Sequence, residues 1–251
     1  MNKPKVVAES TMYKFHIIDQ EKDNLVEQFK TRLLEMPPIP KTIHQVWIGP
    51  SKPPYHWINS FKENFLQKYP GWKYKLWTEK DIQELTLINR DIYDKEENIS
   101  GKVDILRYEL LYQFGGVYID SDILWLDNKP LDPLLENTNL TRMFVGREDH
   151  RMMGICVIGS AIHNPILKYT IDLLKSTYPE TRLQNKWEPW ISSGPVFFTE
   201  AVKDFDITIY PIHYFYPLNW HYDQRKANIK DYPDSYMIHY GYSTNNLSSD
   251  E

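Results

Sequence analysis

Apolar residues recur along this 251-residue chain at two periods, and the alternation between them is the first sign of its architecture. Leu25, Phe29, Leu33 and Met36 stand at near-helical spacing before Pro37-Pro38, which predicts a helix over 19–36. TIHQVWIG (42–49) reads as a strand entering a glycine turn. Trp57, Phe61 and Phe65 fall four apart within 55–69, the spacing of an amphipathic helix. WKYKLW (72–77) alternates as a strand, and Thr78 with acids just after it caps another helix. Val103, Leu106 and Leu110 share one face of a helix over 102–114, stopped by Gly115-Gly116. VYID (117–120) follows as a buried strand. Asn164-Pro165 opens a helix through Tyr178, and GPVFFTEAVKDF (194–205) a shorter one. Strands alternating with helices predict an α/β fold with a mainly parallel sheet. The simplest division is an N-terminal helical extension (1–36) and one catalytic domain (37–251) whose polar tail is loose from about Tyr242.

Composition narrows this picture. Hydrophobic residues make up 41% and charged residues 25%, the balance of a globular domain. Eighteen tyrosines and eight tryptophans exceed the usual share; most belong to the core, and the rest suit stacking on flat ligands. A net charge of −5 with no basic block excludes duplex nucleic acid as a partner. The single cysteine, Cys156, excludes an internal disulfide and a cysteine-based zinc site, and its apolar neighbours predict plain burial. No apolar run approaches the ~20 residues that span a bilayer. The first fifteen residues lack the apolar core of a signal peptide, so the expected location is cytoplasmic. The triplets at Asn98, Asn139 and Asn246 are then chance glycosylation matches.

The chemistry lies in GGVYIDSDILW (115–125). Residues two apart on a strand face one side, so Asp120 and Asp122 point together at one spot. Ligands of open α/β sheets sit beyond the carboxyl ends of strands, and hard oxygens there suit Mg²⁺ or Mn²⁺ beside phosphate. Asp104 and Arg107, three apart on the preceding helix, are either a solvated ion pair or groups aimed at sugar hydroxyls or phosphate. An Asp-x-Asp phosphohydrolase would want threonine or valine where Leu124 stands. No nucleophile elbow and no phosphate-cradling glycine loop is present.

KVDILRYELLYQFGGVYIDSDI (102–123) resembles the signature of glycosyltransferase family 32, which includes yeast-type α-mannosyltransferases and shares its core with the clostridial glucosylating toxins. IPKTIHQVWIG (39–49), SSGPVFFTEAV (192–202) and MIHYGYS (237–243) resemble further segments, so the likeness runs over roughly residues 37–243. It implies the GT-A fold, a Rossmann-like nucleotide-binding sheet beside an acceptor site. It implies a retaining transferase that uses a nucleotide-sugar donor (UDP- or GDP-sugar) and a glycan or glycoconjugate acceptor.

The resemblance also implies roles. Asp120 and Asp122 hold the divalent cation on the donor diphosphate, Asp122 more directly, and His239 completes the shell; the imidazole favours Mn²⁺ over Mg²⁺. Asp104 and Arg107 contact the donor sugar. Val46, Trp47 and Ile48 on the first strand line the nucleotide site, with Trp47 either packed on the base or in the core. Tyr118, Ser121, Gly194 and Ser243 complete the donor-binding set. The C-terminal motif departs from the family in having Thr244 and Asn245 after Ser243 where a tryptophan is usual; Trp220 and His221 are the substitutes within reach of sequence. The competing non-enzyme reading is a sugar- or nucleotide-binding module descended from a transferase.

Overall fold

A computed structural model describes residues 5–9, 14–18, 36–184, 186–218 and 228–241, the first two stretches by their backbone. Strands β1 (Lys5–Glu9) and β2 (Lys14–Ile18) pair antiparallel as a hairpin. The expected N-terminal extension therefore contains strands and is not purely helical. The helix expected over 19–36 lies outside the described residues apart from Met36.

The main sheet has six strands in the order β4-β3-β5-β8-β7-β9. They are β3 (Thr42–Val46), β4 (Lys73–Trp77), β5 (Gly116–Ile119), β7 (Met143–Arg147), β8 (Met153–Ser160) and β9 (Thr208–Tyr210). Five run the same way and β8 alone opposes them. This is the mainly parallel α/β sheet expected. Outside it, β6 (Ile123–Trp125) pairs antiparallel with β10 (Met237–His239).

Alternation along the strands divides the core. Ile43, Val117, Ile119 and Phe144 face one cluster with Phe61, Phe65 and Phe215; Val46, Tyr118, Met143 and Val145 face the other. The first cluster is closed by a helix running through α1 (Tyr55–Asn59), a π-helical turn (Ser60–Phe65) and α2 (Leu66–Lys68). The second lies under α3 (Ile99–Phe114), α4 (Pro165–Tyr178) and α5 (Pro195–Val202). In α4 the side chain of Asn164 accepts the Ile166 N–H at 3.0 Å, so the Asn-Pro start works as the sequence implied.

α3 sets up the site. Asn98 caps it, and Asp104 through Leu111 are all buried. It ends at Gly115 (φ 63°), and Gly116 (φ 96°) turns the chain straight into β5. A Cβ on Gly116 would lie 2.5 Å from the Thr42 carbonyl oxygen, so no other residue fits between these two strands. His44 holds the same turn. Its Nε2 is 2.9 Å from the Gly115 carbonyl, and the Trp77 indole N–H donates to its Nδ1 at 3.1 Å. An indole nitrogen can only donate, so Nδ1 is bare and the proton sits on Nε2. Burial lowers the His44 pKa to about 4, against the pull of the Gly115 carbonyl. His44 is thus a neutral structural residue.

Candidate active site

A cleft of about 750 Å³ opens at the carboxyl ends of β3 and β5, within the range of small-ligand pockets. Val46, Trp47, Ile48, Asp104, Arg107, Tyr118, Asp120, Ser121, Asp122 and His239 line it. The residues singled out by sequence therefore meet in one place, with two exceptions. Gly194 sits just behind the wall: a Cβ there would lie 2.6 Å from Trp190 Cα, so it shapes the turn while Pro195 faces the cleft. Ser243, like Trp220 and His221, lies outside the described residues.

Asp104 and Arg107 are not a solvated pair. They are 5% and 4% exposed, with Arg107 Nη2 3.0 Å from Asp104 Oδ1. Arg107 Nη1 also donates to the Ile155 carbonyl at 2.7 Å and lies 3.4 Å from Asp120 Oδ1. The guanidinium rests over the Tyr118 ring, 4.8 Å from its centroid. The other Asp104 oxygen accepts from Ser193 Oγ at 2.9 Å. Burial pushes the Asp104 carboxyl up to about 7, while Arg107 and Ser193 pull it down. The helix position alone could not show this, because both flanks of α3 are covered, including the side away from its apolar stripe.

Asp120 follows the last residue of β5 and is clamped from three sides. Tyr118 Oη donates to its Oδ1 at 2.6 Å, Arg107 faces it, and Gln45 Nε2 donates to its carbonyl at 3.1 Å. Ser121 Oγ donates to the Val46 carbonyl at 2.5 Å, stapling the Asp-x-Asp turn to the first strand. Asp122 Oδ1 lies 3.4 Å from His239 Nε2. That meeting is made by the small sheet, where His239 pairs with Ile123 and the Tyr240 N–H reaches the Asp122 carbonyl at 3.0 Å. Burial alone would lower the His239 pKa, but Asp122, Asp120 and Glu148 outweigh it and raise it to about 9. Trp47 is half-buried, and its indole N–H donates to the Ser51 carbonyl at 2.9 Å.

Three cleft features were missed from sequence. Glu148, just past the carboxyl end of β7, is buried, and no hydrogen bond to its carboxylate is made among the described residues. Burial lifts its pKa to about 7, with His239 pulling the other way. Its signal was available: FVGRED is an apolar strand running into acids, the logic that flagged Asp120. Trp190, on the turn before Gly194, is exposed by 44% and forms another wall. Cys156 is buried as expected but also lines the cleft. The Asp120 N–H donates to its carbonyl at 2.8 Å, just beyond the last β5–β8 pair, Ile119 with Val157.

Asp120, Asp122 and His239 thus stand together at the mouth of the cleft. Residues 54–141, which bear Asp104, Arg107, Asp120 and Asp122, match the family described as the glycosyltransferase sugar-binding region containing a DXD motif. Inositol phosphoceramide mannosyltransferase 3 of Schizosaccharomyces pombe is 34% identical over 101 residues, 39% of this chain and 27% of that protein. An uncharacterised glycosyltransferase of Acanthamoeba polyphaga mimivirus is 25% identical over 82% of this chain and 83% of its own. A solved glycosyltransferase involved in glycosylation of the major capsid of PBCV-1 overlays 82% of this chain and 95% of its own, with a TM-score of 0.49 and 12% identity. The match to the fission-yeast protein thus spans about a quarter of its length. No described helix is long and apolar enough to cross a membrane.

Proposed function

We propose that the protein is a metal-dependent retaining glycosyltransferase that moves a hexose from a UDP- or GDP-sugar to a hydroxyl of a glycan or glycoconjugate. The observation that carries this reading is the convergence of Asp104, Arg107, Asp120, Asp122 and His239 on one cleft at the carboxyl ends of β3 and β5.

Two carboxylates and an imidazole suit Mn²⁺, and Mg²⁺ less well because of the nitrogen. Asp120, Asp122 and His239 would hold the ion, which supplies charge neutralisation for the departing diphosphate. Tyr118 and Arg107 fix one oxygen of Asp120, which supports Asp122 as the more direct ligand. Asp104, itself held by Arg107 and Ser193, orients the donor sugar. Trp47 and Trp190 offer ring faces to base and sugar. Glu148 carries a carboxylate ready to accept a hydrogen bond from a substrate hydroxyl. In the front-face reaction the leaving phosphate takes the acceptor proton, so no protein nucleophile is required. The mannosyltransferase names of the fission-yeast relatives make mannose the first sugar to try.

The test is incubation with a panel of UDP- and GDP-sugars and Mn²⁺. Slow release of free sugar and nucleoside diphosphate from one donor is the expected result. Binding without turnover of any donor would instead make the protein a sugar-nucleotide-binding module. Asp122→Asn is expected to cut turnover by roughly a hundredfold or more, the usual scale for losing a charge-stabilising group, and to weaken Mn²⁺-dependent donor binding. Wild-type turnover by that variant would remove Asp122 from the metal site.

A further inference from the structure

We propose that Asp120, Cys156 and His239 form a thiol-containing site for a soft divalent cation, Zn²⁺ above all, overlapping the oxygen-rich cation site. The register of the sheet creates it. Just past the last β5–β8 pair, Ile119 with Val157, the Asp120 N–H donates to the Cys156 carbonyl, which holds the two residues side by side. The β6–β10 pair then delivers His239 to the same point. One oxygen of Asp120, the Cys156 sulfur and one His239 ring nitrogen all lie within 4.8 Å of one another.

Oxygen, sulfur and nitrogen together are a zinc-type donor set, and tetrahedral Zn²⁺ wants its ligand atoms ~3.5 Å apart. The three groups need about an ångström of closure to meet that spacing. The Asp122 carboxylate, 3.4 Å from His239 Nε2, or a water would fill the fourth position. As the metal bonds form, the Cys156 thiol proton and the His239 imidazolium proton both leave to solvent. Mn²⁺ and Mg²⁺ prefer oxygen ligands and gain little from the sulfur. A soft cation at this site occupies Asp120 and His239, and so competes with the harder one. The single cysteine led to the expectation of no cysteine-based zinc site, and the mixed set proposed here departs from that expectation.

Cobalt reports the site directly, because Co²⁺ takes zinc ligands and a bound thiolate gives it an intense near-ultraviolet charge-transfer band. Cys156 is the single cysteine of the chain, so such a band has one source. Titration of the full-length protein with Co²⁺ is expected to give the band at one equivalent, with release of the thiol and imidazolium protons, and Zn²⁺ is expected to bleach it. Cys156→Ala should lose the band, with Cys156→Ser as the second variant should alanine fail to fold. His239→Gln, which keeps the thiol but removes a ligand, should weaken Co²⁺ binding by more than the roughly tenfold lost when only a ligand's supporting partner is removed. Saturation with Co²⁺ without a thiolate band would overturn the proposal, and so would an unchanged affinity in His239→Gln. The readout needs no sugar donor. A missing band leaves the transferase reading standing, and failure of every donor leaves the metal site standing.

Discussion

Arg107 faces two carboxylates, Asp104 at 3.0 Å and Asp120 at 3.4 Å, in a place that water barely reaches. Breaking a buried pair by removing one partner costs about 3–5 kcal/mol, because the other charge stays buried alone. Arg107→Met should therefore lower the unfolding free energy in urea by about 3 kcal/mol. Adding Asp104→Asn should return part of that loss, and a double-mutant cycle with no coupling would show that the pair is not the source. Glu148 poses the opposite case. Its carboxylate pKa is raised to about 7 by burial, so at pH 8 the folded protein holds a charge that would be better solvated outside. Glu148→Gln removes that charge at nearly constant shape. The variant should melt at a higher temperature at pH 8 while turning over donor at least ~10-fold more slowly, the trade of stability against activity common at active sites. Equal turnover would take Glu148 out of the reaction.

Between elements, His44 is the part most sensitive to acid. It ties β3 to the turn that links α3 and β5, as an acceptor from Trp77 and a donor to Gly115. Its folded pKa of about 4 lies below the ordinary 6.5, so as pH falls the unfolded chain takes the proton first. The stability that His44 contributes is complete above pH 6.5 and is lost as pH falls through about 4. The depression corresponds to about 3 kcal/mol. Asp104 and Glu148, both raised to about 7, act with the opposite sign between roughly pH 4 and 7, favouring the fold on acidification. The measurable quantity is thus the difference between wild type and His44→Gln. That difference should shrink by about 3 kcal/mol from pH 7 to pH 4 in urea unfolding curves, and a constant difference would contradict a neutral buried His44. Local patterns told most of the element story: Asn164-Pro165, the Thr78 cap and the Gly115-Gly116 stop act where they were read. The π-helical turn at Ser60–Phe65 was not legible, since Phe61 and Phe65 keep an ordinary helical spacing through it.

At the scale of the molecule, the site is made by pairings between distant segments. Asp104, Arg107, Asp120 and Asp122 fall within nineteen residues of sequence and could be read together. The positions of His239 and Cys156 depend on which strand lies beside which, and the burial of Asp104 on what covers α3. Spacing along the chain encodes none of these. A ligand that bridges such segments should tighten the whole fold. A nucleoside diphosphate with Mn²⁺, at a hundred times its dissociation constant, should add about 2.7 kcal/mol of stability. For a domain of this size that is a rise of roughly 5–10 °C in melting temperature. Thermal scans with UDP and GDP would show which base is preferred, and Asp122→Asn should erase the metal-dependent part of the rise.

The reversed direction of β8 has one more consequence. Because β8 runs against its neighbours, the short turn that joins it to β7 folds back at the rim of the cleft instead of crossing behind the sheet. That turn is closed by its own contacts: the Asp149 carboxylate accepts the Arg151 and Met152 N–H groups, and the Glu148 N–H returns to the Met152 carbonyl at 3.1 Å. A self-closing rim can be rebuilt without re-laying the sheet beneath it. In a directed-evolution library, residues 149–152 are therefore the cassette in which to look for altered acceptor choice, with Glu148 and the rest of the cleft left in place.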